Sequence, residues 1–245
     1  MIHTALLIFV ISLICYGQVA LFLLPHYGIV FNGILIVLFL GLAIYDAYDL
    51  YAEDVLTLAA VIPTVSLVSI ALQGDDIFTN IVVVYALLLF LTIGYAYFLY
   101  IKHGIFLIRN SKYLLVSLPV GIITGYFTAQ FLLGVSHPLV ISQASAYSII
   151  ILGSITEGIF FQGLVQNAVT LMTESLLGVV FTMILYAVFH DSHSPQITEI
   201  FLLLGFISAM MYVFFKNIYV SIGFLLAANV IFYMLTGTIL AVAIN

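Results

Sequence analysis

The chain has 245 residues, of which 65% are apolar and only 6% charged, with four Lys+Arg against ten Asp+Glu and a formal net charge of −6. Soluble domains carry about 25% charged residues, so this inventory cannot build a soluble surface, and the shortage of basic residues leaves no patch for nucleic acid. The composition is that of an all-α, polytopic membrane protein.

Nine apolar spans of about 20 residues, the length that crosses ~30 Å of hydrocarbon, fall near 4–24, 28–45, 55–73, 81–101, 113–134, 144–172, 175–190, 197–215 and 218–243. The first lacks a basic leader and a small-residue cleavage site, and reads as a span rather than a signal peptide. Cys15 is the only cysteine and forms no disulfide within the chain. Turn chemistry separates the spans at Pro25-His26, the acidic stretch DAYDLYAED, GDD, HPLVISQ, TES at 173–175, Ser194-Pro195 and Lys216-Asn217. Ser before Pro is a good helix start.

Segment 102–112, KHGIFLIRNSK, is short, mixed and basic, and is expected along the interface. Asp46, Asp49, Glu53 and Asp54 lack the spacing of a calcium loop and read as a solvated acidic turn. Pro63 and Pro119 fall inside spans, where kinks are expected. The 16 Tyr and 20 Phe fit lipid-facing and interfacial packing. No internal repeat or soluble domain is legible, so residues 1–245 read as a single integral membrane domain. Lys102, Arg109 and Lys112 follow span four and Lys216 follows span eight, which puts both groups on one side. The excess of basic residues marks that side as cytoplasmic, with the N-terminus inside and the C-terminus outside.

Residues 153–163 read GSITEGIFFQG, and Glu157 is the only acidic residue deep within a span as drawn. An intramembrane carboxylate faces the protein interior or a water-filled cavity, and marks a functional site by default. The alternative is a neutral Glu that hydrogen-bonds between helices and fixes their packing. Helix rise puts Glu157 and His190 each about 22 Å from the cytoplasmic ends of their spans, with Asn229 and Tyr233 about 16 and 22 Å up span nine. Carboxylate, imidazole and amide are therefore expected in one layer. A Glu that activates water beside donors aimed at an oxyanion is a workable hydrolytic site, and the same trio could equally be a buried network that only orders helices.

TEGIFFQG resembles the E-E-x-x-F-R-G signature of CPBP-type intramembrane proteases, which include the type II CAAX prenyl endopeptidases and Abi proteins. YAVFH resembles the second signature, F-x-x-x-H, and Ser221-Ile222 leading to Asn229 and Tyr233 follows the third, H-x-x-x-N. The resemblance covers roughly residues 144–240. It implies a CPBP-like core at 113–245, preceded by N-terminal helices at 1–112. It implies that Glu157 activates water while His190, Asn229 and Tyr233 stabilise the oxyanion, without a cofactor. Gly158 and Gln162 stand where the family has its second Glu and its Arg, and Asn229 and Tyr233 replace His and Asn.

In HDSHS, His190 and His193 are weak candidates for a metal near the outer loops with His26 and His137; no metal is expected. Three functions follow. The first is an intramembrane endopeptidase acting on a membrane protein or lipidated peptide. The second is an inactive scaffold or accessory subunit of a membrane complex, disrupted by bulky changes at Gly153, Gly158 or Gly163. The third is a small transporter or proton relay, although paired interrupted helices are missing from the sequence.

Overall fold

The computed structural model describes residues 2–45, 50–72, 77–103, 113–132, 142–190, 195–237 and 239. Nine helices account for nearly all of them: α1 (Ile2–Leu23), α2 (Pro25–Tyr45), α3 (Leu50–Ala71), α4 (Ile77–His103) and α5 (Leu114–Leu132). Then come α6 (Gln143–Met172), α7 (Ser175–Phe189), α8 (Pro195–Phe215) and α9 (Ile218–Thr236). The protein is an all-α, multi-pass membrane bundle.

Eight of the nine are long and apolar enough to cross a bilayer, whereas α7, with 15 residues, is short. At 1.5 Å per residue α7 reaches only about 22 Å, so the expected seventh crossing stops inside the bundle. Its last turn ends at His190, which is fully buried rather than at the outer surface. Asp191 and His193, and with them the rest of the proposed metal cluster on that turn, lie outside the described residues. So do Asp46, Asp49, Arg109, Lys112 and His137.

The helices are apolar on all faces, and polarity runs opposite to that of a soluble protein. Tyr45, Leu115 and Phe90 are at least 75% exposed, while Gln162, His190, Ser154 and Asn32 are fully buried. Hydrocarbon solvates the outer aromatics, and it offers polar groups no partner, so they turn inward. Asn32 shows the pattern, donating to the carbonyls of Gly17 and Gly28 across the tight α1–α2 turn. Pro25 opens α2 at a position whose missing N–H is not needed.

Several boundaries differ from the sequence expectation. The helix α3 begins at Leu50, five residues earlier than drawn, so Glu53 and Asp54 lie in its first turns. Asp54 is no solvated turn residue: it is 2% exposed and accepts a hydrogen bond from Tyr95 Oη at 2.8 Å. Lys102 continues α4 rather than starting an interfacial segment. Helix α9 stops at Thr236 because Gly237 takes a left-handed turn (φ 70°) and returns its N–H to the Tyr233 carbonyl.

Helix α6 is the centre. Two thirds of its spanning window is buried, and α3, α4, α7, α8 and α9 all contact it. Helix α5 packs along α9 through glycines: a Cβ on Gly121 or Gly125 would strike the α9 backbone at Phe224 or Ala228. Small residues at such crossings let backbones approach closely where no hydrophobic force brings helices together.

Candidate functional site

Glu157 lies at the point where α6 changes its winding. Residues 143–157 are α-helical, Gly158–Gln166 form a nine-residue π-helical stretch, and Asn167–Met172 return to α. π-Helical segments inside α-helices occur most often at functional sites.

The carboxyl group is 1% exposed and meets three polar side chains. Tyr85 of α4 donates to Oε1 at 2.6 Å, Tyr186 of α7 donates to Oε2 at 2.7 Å, and His190 Nε2 lies 3.1 Å from Oε1. His190 Nδ1 sits 2.8 Å from the Tyr186 carbonyl. A carbonyl can only accept, so Nδ1 carries a hydrogen and donates. Nε2 then either donates to the carboxylate as part of an imidazolium or accepts the proton of a carboxylic acid. In both cases one proton lies between Glu157 and His190, and the pair is neutral as a whole. That neutrality answers the cost of the acid, because a lone buried charge in hydrocarbon is what the interior cannot hold.

Phe201 of α8 stacks on the His190 ring, with centroids 4.0 Å apart and planes at 21°, and Phe189 meets it edge-on at 5.3 Å. Three contacts thus fix the imidazole: a carbonyl at one nitrogen, a carboxylate at the other and an aromatic face. With both nitrogens engaged, His190 has no lone pair free for a metal. Among the described residues no three His, Cys, Asp or Glu side chains cluster with metal-binding geometry.

Asn229 is buried beside the pair but one turn away. Its Nδ2 donates to Ser154 Oγ at 3.3 Å, three residues before Glu157. Tyr233 is further off. Its ring packs edge-on against Tyr147 at 5.5 Å, about 15 Å along α6 from Glu157. The depth arithmetic set all helix ends at one plane. In fact the start of α9 stands against the middle of α6: a Cβ on Gly163 would lie 2.5 Å from Ile218 Cδ1, and one on Gly158 2.5 Å from Ile222 Cγ1. That stagger carries Asn229 and Tyr233 outward past the carboxylate layer.

The remaining motif positions are filled without charge. Ile222 takes the space beside Gly158, and Gln162 is fully buried with neither end of its amide bonded to protein. Gly153 lets the Tyr85 ring rest on α6, its Cβ position 3.0 Å from Tyr85 Cζ. Two donors escaped the sequence reading. Tyr186 stands at the phenylalanine place of F-x-x-x-H, four residues before His190, and a hydroxyl at that place was the available signal. Tyr85 lies in the fourth span and carries no local signal at all.

Residues 139–231 match the family model described as type II CAAX prenyl endopeptidase Rce1-like. No curated protein and no solved structure matches the chain.

Proposed function

We propose that this chain is a CPBP-like intramembrane endopeptidase, on the ground that residues 139–231 match the type II CAAX prenyl endopeptidase Rce1-like model. The observation that supports it is the 3.1 Å contact between Glu157 and His190, the two ionisable positions at which the family motifs are kept unchanged. Glu157 is the general base. It takes a proton from water, and the hydroxide adds to the carbonyl carbon of a peptide bond in a membrane-associated substrate. The proton then passes to the amide nitrogen, the C–N bond breaks, and an acid and an amine leave. His190 holds the proton in transit and Tyr186 steadies the carboxylate at Oε2. Asn229 offers its amide to the oxyanion from one turn away. Tyr233 lies outside the reacting layer.

Glu157 is shut from solvent in this conformation, so turnover requires the helices around it to part. The same closure, with Ile222 in the place of a second acid, favours a second reading: a CPBP-like bundle without catalysis, serving as a scaffold or accessory subunit. Glu157→Gln separates the two. Loss of cleavage of membrane substrates, together with loss of biological complementation, supports the endopeptidase. Full complementation by the Gln variant supports the scaffold.

A further inference from the structure

We infer that Tyr85, on α4 and outside the segment that matches the family model, is a positioning residue that decides which oxygen of Glu157 holds water. This rests on the endopeptidase reading. A carboxylate offers about four lone-pair directions, two on each oxygen. Oε1 has both filled, by Tyr85 at 2.6 Å and His190 at 3.1 Å. Oε2 accepts from Tyr186 at 2.7 Å and keeps one direction open. Water activated by this acid is therefore held at Oε2.

Tyr85 is the tie that makes the oxygens unequal. Without it Oε1 also has a free direction, and the carboxylate has two competing modes of holding water. The phenol is placed for this by packing. It is 1% exposed, and its ring lies over Gly153, one turn before Glu157. It also supplies an orienting group where the motif has none, since Gly158 and Gln162 bring no charge to the acid. The N-terminal helices thus complete the site that the C-terminal segment begins.

The test uses the full chain in liposomes and dicyclohexylcarbodiimide, an apolar reagent for membrane-buried carboxyls, with modification of the Glu157 peptide followed by mass spectrometry. Tyr85→Phe keeps the ring on Gly153 and removes only the donor. It is expected to be modified several-fold faster than wild type. Leu88→Ala, a buried packing change on the same helix, controls for general loosening. Equal rates for Tyr85→Phe and wild type overturn the inference, and so does an equal acceleration in Leu88→Ala. In any cleavage assay that the wild type passes, Tyr85→Phe lowers kcat roughly tenfold and leaves KM within about twofold. An unchanged kcat overturns the inference as well. Full function of Glu157→Gln would instead end the endopeptidase reading and leave the labelling result standing, so the two failures are distinct.

Discussion

Ile222 occupies the space that a side chain at Gly158 would need, with its Cγ1 2.5 Å from the position of an added Cβ. Restoring the family residue by Gly158→Glu therefore does not restore the motif. The variant is expected to lose folded yield and thermal stability, as overpacked cores do by about 1–3 kcal/mol or more. Trimming the obstacle in Gly158→Glu/Ile222→Ala should recover part of the loss. A Gly158→Glu protein that melts with the wild type would show that α9 does not press on this turn.

The neutral pair gives a stability prediction. Glu157→Gln keeps a hydrogen-bonding amide and removes the charge, so it should change the unfolding midpoint in detergent only slightly. His190→Ala strands the acid without its proton partner, and breaking a buried pair from one side costs about 3–5 kcal/mol. The expected order of stability is wild type, then Glu157→Gln, then His190→Ala well below. The reverse order of the two variants would mean that Glu157 and His190 do not share a proton.

For activity, His190→Ala is expected to lose roughly 10²–10³ in rate, the scale of one oxyanion or proton-transfer partner. Tyr233→Phe should leave the rate within about twofold, since its ring packs on Tyr147 and its hydroxyl does not reach the acid. Steady-state cleavage by both variants checks this. A Tyr233→Phe defect as large as that of His190→Ala would place Tyr233 at the reacting layer after all.

The topology prediction rests on the ends of helices. His3 Nδ1 donates to the Met172 carbonyl at 3.1 Å, so the start of α1 and the end of α6 share one face. With Lys216 at the end of α8, that face is expected to be cytoplasmic. Single cysteines at positions 173 and 216, in a Cys15→Ser background, should label from the cytoplasm, and one at 237 from outside. Labelling of 173 and 216 from opposite sides would overturn it.

How much of this was legible beforehand depends on the kind of signal. Eight of the nine expected spans came from hydropathy, because hydrocarbon thickness sets helix length whatever the packing; the short α7 was apolar enough to be read as a ninth. The proximity of Glu157 and His190 was legible from motif order. The stagger of α9 was not, since it is fixed by Ile218 and Ile222 seating on Gly163 and Gly158, a contact between residues more than fifty positions apart. Asp54 was misread for a similar reason: its burial depends on Tyr95 from the next helix. Polar partners from distant spans leave no periodicity to read.

The π-helical stretch also sets the phase between the two ends of α6. A π turn holds more residues than an α turn, so the Tyr85-facing half and the Gln166-facing half are offset from the alignment that an unbroken α-helix would give. Removing one residue between 158 and 166 would let the segment relax towards α and change the phase of everything beyond it relative to Glu157. Gln166, whose amide now donates to the Ala209 carbonyl at 2.9 Å, would swing off α8. The helix works as a gear cut to a set pitch: its length in residues, apart from their chemistry, keeps Glu157 meshed with α4 and α7 and Gln166 meshed with α8.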